Sequence, residues 1–349
     1  MTFTALFRAD SDSAMGNGHV MRCFGLAEEL AARGCVCHFA CASLTSGLAL
    51  WLKGAGFPLH SLAQEPGSPR DASETVELAR SLSAASVIVD GYQFGEAWRS
   101  VLARGAWAVL TFDDLAEVHC LHTELVVNAA PHASSLPYDR IASGAEHLLG
   151  PDYIILRQEI LEARAAPQKP IAERGTMLLS FGGADPLGLT QPCIDGLAER
   201  LPPSCGIIAV VGASNPRARD IMNRAERHAG RVRIEINARN MGALMNESGL
   251  AVAGAGTTVG ELAALGVPSL LVIIADNQVP AAMRVKAQGW CNVVDARSMD
   301  SLPLICNCAA ALWAQKQVRT AMGERARMLV DGLGVKRIAD RLTQRIGLR

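Results

Sequence analysis

Phe3-Thr4-Ala5-Leu6-Phe7-Arg8-Ala9-Asp10-Ser11-Asp12-Ser13-Ala14-Met15-Gly16-Asn17-Gly18-His19-Val20-Met21-Arg22 opens with an apolar run, crosses a polar turn that ends in two glycines, and enters an amphipathic segment. Strand, glycine-rich turn and helix in that order form the first half of a βαβ unit, which predicts a strand over 3–8 and a helix over about 20–33. Further apolar runs at 36–41, 87–90, 108–112 and 125–128 lack a clean alternation, as strands buried on both faces do. A polar stretch with two prolines follows at 165–175, where we place the interdomain linker. The rhythm then restarts with 177–181, a Gly182-Gly183 turn, a helix to about 201, and strands near 207–211, 232–236, 250–253 and 269–274.

A chain of 349 residues is long enough for two domains, each burying its own core. The expected fold class is α/β: two Rossmann-like doubly wound domains, residues 1–165 and 176–300, facing each other across a cleft. The Ala-, Leu- and Arg-rich tail, 301–349, reads as three helices (304–313, 318–329, 335–346) that pack on the domains. Ligands of open α/β sheets sit beyond the carboxyl ends of the strands, so two facing units suit a substrate with two chemically distinct halves.

Composition narrows the function. Half of the residues are hydrophobic, 19% are charged and 5% aromatic, which excludes disorder, collagen-like repeats and a stacking-based single-strand binder. With 33 basic and 34 acidic residues the net charge is -1, so no positive field draws nucleic acid or an anionic membrane. The longest apolar stretches, such as 268–275, fall far short of the ~20 residues needed to cross a bilayer, and the first residues do not read as a signal peptide. Ten scattered cysteines without zinc-ribbon or C-x-x-C spacing read as reduced and buried, which points to the cytoplasm. The group Glu117, His119, Cys120 and His122 has irregular spacing and reads as a solvated loop, so neither metal nor cofactor is expected. A monomer or weak homo-oligomer is the expected state.

Three strand-to-helix turns carry the chemistry-bearing residues. In the first, Gly16 and Gly18 allow a ligand close to the backbone, and Asn17 lies between them. A dinucleotide fold would need glycine where Met21 stands and an acidic residue ending the second strand, so NAD is disfavoured. His19 follows at the helix start, where the positive dipole end favours the uncharged imidazole suited to act as a base; a capping or packing histidine is the plainer alternative. In the second turn, Gly182 and Gly183 can offer backbone donors to a phosphate, while Asp185 before Pro186 reads as an N-cap. In the third, Thr258 and Glu261 have capping-box spacing; equally, Glu261 can accept ribose hydroxyls while Gly256 and Thr257 donate to a diphosphate. Local physics leaves these two readings level.

Taken together, Arg8-Ala9-Asp10-Ser11-Asp12-Ser13-Ala14-Met15-Gly16-Asn17-Gly18-His19-Val20-Met21-Arg22-Cys23 and Ala253-Gly254-Ala255-Gly256-Thr257-Thr258-Val259-Gly260-Glu261-Leu262-Ala263-Ala264-Leu265-Gly266-Val267-Pro268 resemble the PseG family. Its members are UDP-2,4-diacetamido-2,4,6-trideoxy-β-L-altropyranose hydrolases of pseudaminic acid biosynthesis, relatives of the MurG-type GT-B glycosyltransferases. The likeness spans most of the chain to about residue 295; the first motif belongs to the hydrolase, and the second is shared with the transferases. The resemblance implies a GT-B fold, a UDP subsite in the second domain, and metal-independent attack of water at the anomeric carbon that releases UDP and free sugar. It makes His19 the base, places Gly16, Asn17, Gly18, Asp90, Tyr92, Asn277 and Gln278 against the sugar, and has Gly182, Gly183, Gly256, Thr257 and Glu261 hold UDP. Gly91 departs from the family, which has a histidine there, so no side-chain role passes to that position. Asp113 and Asp114 match the pattern and read as structural carboxylates at a strand end. The released sugar would be destined for a nonulosonic acid that decorates flagellin, capsule or lipopolysaccharide. A GT-B glycosyltransferase, a UDP-sugar 2-epimerase and a non-catalytic nucleotide-sugar sensor are the alternatives.

Overall fold

The computed structural model describes every residue except 1, 13–16, 213, 214, 229, 299, 300, 348 and 349. The apolar runs become parallel strands because each is flanked by helices that cover both faces of its sheet. In the first unit these are β1 (Thr4–Ala9), β2 (Val36–Cys41), β3 (Leu59–Ser61), β4 (Ser86–Asp90), β5 (Ala108–Phe112), β6 (Leu125–Asn128) and β7 (Glu146–Leu149), in the order β3-β2-β1-β4-β5-β6-β7. Alternate residues face opposite layers. Phe7, Phe39, Ile88 and Leu110 pack with Val20, Leu26 and Leu30 of the helix Gly18–Ala32; Leu6, Val87 and Val89 pack on the other face with Val76 and Trp98. Arg8 at the end of β1 is fully buried, paired with Asp10 at 2.8 Å and with Asp71 at 3.0 Å. Asp10 in turn accepts the Ala42 and Ser43 N–H groups, which ties the loops after β1 and β2 together.

The second unit contains β8 (Thr176–Ser180), β9 (Gly206–Val211), β10 (Val232–Ile236), β11 (Ser248–Gly254), β12 (Ser269–Ile273) and β13 (Cys291–Asp295), all parallel, in the order β10-β9-β8-β11-β12-β13. Met177, Leu179, Ile207 and Val252 build its core with Ile194 and Leu197 of the helix Thr190–Arg200 and Ile305 and Ala309 of the helix Ser301–Ala314. In each unit the strand order reverses beside the first strand, at β1/β4 and at β8/β11. Open α/β sheets bind ligands at such switch points.

Three strands went unpredicted: β3, β7 and β13. All are sheet edges with polar or exposed positions, so their apolar signal is weak. The division of the chain also differs from the expected linker at 165–175. The units comprise residues 1–156 with 332–349, and residues 157–331. Helix Gln158–Ala165 belongs to the second unit because it lies against helix Met241–Glu247, where Gly242 has no room for a side chain: a Cβ there would stand 2.6 Å from the Ala163 methyl. The tail divides as well. Helices Ser301–Ala314 and Lys316–Leu329 stay with the second unit, while Gly334–Gly347 lends Val335, Ile338, Ala339 and Leu342 to the core of the first.

Candidate active site

In the first unit β4 lies between β1 and β5, with Asp90 opposite Ala9 on one side and Phe112 on the other. The last residue of β4 is thereby placed beside the helix that follows β1 and the loop that follows β5. His19 is the second residue of that helix, and its Nδ1 lies 2.7 Å from Asp90 Oδ1, both side chains buried. An ionised carboxylate only accepts, so the imidazole hydrogen belongs on Nδ1 and the lone pair on Nε2. Among the described residues Nε2 has no hydrogen-bond partner. The edge of the Tyr92 ring meets the imidazole at 4.7 Å between centroids.

Arg22, one helical turn beyond His19, joins two carboxylates. Its Nε donates to Asp90 Oδ2 at 2.5 Å and its Nη2 to Asp90 Oδ1 at 2.8 Å; Nη1 and Nη2 also donate to Asp114 at 2.8 and 2.9 Å. Tyr92 Oη donates to Asp114 Oδ2 at 3.2 Å. Burial alone would lower the Arg22 guanidinium, but the two carboxylates outweigh it and hold it well above the usual arginine value. Burial would likewise raise the Asp114 carboxyl, yet Arg22 holds it below the ordinary 3.8. Burial, reinforced by Asp114, pushes the Tyr92 phenol up to about 12.

A carboxyl depressed in the folded state stabilises above its unfolded value and loses that contribution as pH falls through the folded one. Asp114→Asn therefore makes acid unfolding less steep below pH 3.8 than in the parent, a difference read by circular dichroism across an acid titration. The neighbouring Asp113 is structural: its carboxylate accepts the Tyr138 hydroxyl at 2.7 Å and the Ala116 N–H at 2.9 Å.

The structure gathers His19, Asp90 and Tyr92 and adds Arg22 and Asp114, whose roles the motif did not reveal. Arg22 had a signal, its i,i+3 spacing from His19 on one helix face. Asp90, expected against the sugar, is fully buried, and both its oxygens are taken by His19 and Arg22, so it meets the imidazole and not a ligand. Asn17 is the N-cap residue, and its Oδ1 accepts the Ser11 hydroxyl at 2.8 Å. Among the described residues, a Cβ added at Gly18 would meet nothing within 4 Å. Gly16 lies outside the described residues. Glu117, His119, Cys120 and His122 form no metal-holding group; among the described residues no three His, Cys, Asp or Glu side chains do.

The remaining residues assigned to the ligand follow β8 and β11, at the switch point of the second unit, and β12, one strand beyond it. Gly182, with φ 82°, follows β8; Gly256 and Thr257 follow β11; Asn277 and Gln278 follow β12. Gln278 Oε1 accepts the Ile274 N–H at 2.9 Å, which directs its amide nitrogen toward Gly256. Glu261 does not close a capping box. Thr257 is the N-cap without a side-chain bond, and Glu261 instead accepts Arg157 Nε at 2.7 Å and Nη2 at 3.0 Å.

Asp185 also differs from the N-cap expectation. It takes positive φ and accepts the N–H groups of Leu189 and Thr190 at 2.9 and 3.0 Å, so the helix starts four residues later than Pro186 suggested. Gly212 after β9 supports the double-glycine turn, since a Cβ there would lie 2.1 Å from the Gly183 carbonyl. Gly212→Ala is expected to cost about 1–3 kcal/mol of stability as the Gly182–Gly183 turn is pushed aside, measurable by thermal unfolding.

Two Rossmann-like parallel-sheet units, each with its strand order reversing beside the first strand, define a GT-B fold. Structural comparison agrees: MurG of Acinetobacter baumannii superposes with a TM-score of 0.70 at 16% identity, covering 98% of this chain and 99% of that one. A glycosyltransferase from Rickettsia africae gives 0.67 at 11%, covering 98% of each. By sequence, the chain is 25% identical over 288 residues to the UDP-2,4-diacetamido-2,4,6-trideoxy-β-L-altropyranose hydrolase of Campylobacter jejuni, 82% of this chain and 97% of that protein. No protein-family model matches. Among the described residues no helix is long and apolar enough to cross a membrane.

Proposed function

We propose that this protein hydrolyses a UDP-linked 2,4-diacetamido-2,4,6-trideoxyhexose, with UDP-2,4-diacetamido-2,4,6-trideoxy-β-L-altropyranose as the leading substrate, to UDP and the free sugar. The observation that carries the reading is the His19–Asp90 pair, 2.7 Å apart at the end of β4, with Nε2 left to act beside a glycine turn. Similarity to the Campylobacter jejuni hydrolase supports the substrate class.

Water is held by His19 Nε2 and attacks the anomeric carbon from the face opposite the nucleotide. Nε2 takes the proton, and Asp90 stabilises the imidazolium that forms. The bond between the anomeric carbon and the diphosphate oxygen breaks, and that oxygen keeps the electron pair. Backbone N–H groups of the Gly182–Gly183 turn and of Gly256–Thr257 stabilise its charge. Glu261, steered by Arg157, accepts the ribose hydroxyls with its remaining lone pairs. Tyr92, Asn17, Asn277 and Gln278 contact the sugar, and the open backbone at Gly18 lets it approach. The step needs no metal. The product enters nonulosonic acid synthesis in the cytoplasm.

Incubation with UDP-diacetamido-trideoxyhexoses of different stereochemistry tests the reading. Equimolar UDP and free sugar without any acceptor is the expected result. UDP release only on addition of an acceptor would make the protein a glycosyltransferase, and a product epimeric at carbon 2 would make it an epimerase.

A further inference from the structure

We propose that Arg22 and Asp114 are positioning residues that hold the Asp90 carboxylate against His19 Nδ1 and set the charge beneath the imidazole. The proposal rests on His19 being the base. Five side chains close a ring: His19 to Asp90, Asp90 to Arg22, Arg22 to Asp114, Asp114 to Tyr92, and the Tyr92 ring edge back to His19. With both Asp90 oxygens bound by one planar guanidinium, the carboxylate cannot rotate away from Nδ1 without losing two charge-assisted hydrogen bonds. The guanidinium is fixed in turn by its second fork to Asp114.

The charge balance gives the ring a second effect. Asp90 from β4, Asp114 after β5 and Tyr92 from the loop after β4 act on the imidazole directly; Arg22 and Cys23 from its own helix bond to Asp90, and Arg99 from the helix Glu96–Leu102 acts on Asp90 and Asp113. His132, after β6, acts on Asp114. Cys23 is a thiol that burial keeps protonated. Within the ring the carboxylates of Asp90 and Asp114 thus meet the single guanidinium of Arg22, and the negative charge left over favours the imidazolium formed as water is deprotonated. A guanidinium joined to Asp90 alone would cancel that charge; Asp114 restores it.

The two substitutions are therefore expected to act with opposite sign. Asp114→Asn removes a negative charge, weakens the base, and moves the acid limb of the kcat/KM profile to lower pH by about half a unit to one unit. Arg22→Gln removes a positive charge and moves the limb upward by a similar amount. In both, kcat falls about tenfold or more while UDP affinity, supplied by the second unit, is unchanged and reports a folded protein. Arg22→Lys keeps the charge but cannot grip both carboxylates, so kcat falls with the limb in place. If Asp114→Asn does not fold, Arg22→Gln against Arg22→Lys decides. Limbs that stay fixed in Arg22→Gln and Asp114→Asn, or that move the same way, overturn the proposal. Full activity in His19→Gln would instead overturn the assignment of the base, whatever these limbs do.

Discussion

Replacement of His19 by alanine lowers kcat by about 10²–10⁴-fold and leaves the affinity for UDP at the parent value. The two effects separate because their parts belong to different units. The imidazole stands at the start of the helix that follows β1, whereas the glycine turns after β8 and β11 belong to the other sheet. Truncation removes the proposed base, and no other described side chain bonded to Asp90 can take its place: Arg22 is held charged and the Cys23 thiol is held protonated. Steady-state kinetics beside UDP titration by calorimetry make the check. Activity within threefold of the parent would show that the imidazole is not the base.

Asp90→Asn is expected to cost about as much, although no atom of Asp90 reaches solvent and the volume hardly changes. An amide offers one acceptor and one donor where the carboxylate offered two acceptors. If its NH₂ faces His19, it donates to Nδ1 and shifts the imidazole hydrogen to Nε2, which ends that nitrogen's ability to accept. If its NH₂ faces Arg22, donor meets donor across the 2.5 Å contact with Nε. Either orientation also removes the charge that favours the imidazolium. The expected outcome is a kcat reduced by about 10²–10⁴-fold at little-changed KM. A variant with unaltered kcat would reduce Asp90 to a packing element.

Much of the fold can be read from the chain because inner strands are largely apolar runs: β2, β5 and β6 fall on the expected residues, as does the edge strand β10, where Val232, Ile234 and Ile236 alternate with polar side chains. Edge strands do not announce themselves in this way. β3 is Leu59-His60-Ser61, and β7 starts with Glu146-His147, so polar side chains hide them. Helix starts were misplaced where a side chain reaches further than an ordinary cap, as Asp185 does in bonding to Leu189 and Thr190. The unit boundary was misplaced because it follows packing, here Gly242 against the helix Gln158–Ala165, and not the proline-rich composition a few residues later.

Of the candidate site, the turns were legible because their glycines stand between an apolar strand and an amphipathic helix. The partners were not. That Asp90 serves His19, that Asp114 braces Arg22, and that Arg157 grips Glu261 depend on which loops a parallel sheet sets side by side, over separations of 71, 92 and 104 residues. The Thr258/Glu261 spacing fitted a capping box equally well, and the bonds from Arg157 to Glu261 rule that box out.

The proposed attack of water, activated by His19, at carbon and not at phosphorus is decided by turnover in water enriched in oxygen-18, with mass spectrometry of both products. One labelled oxygen in the free sugar and none in UDP is the expected result; label in the diphosphate of UDP would refute attack at carbon.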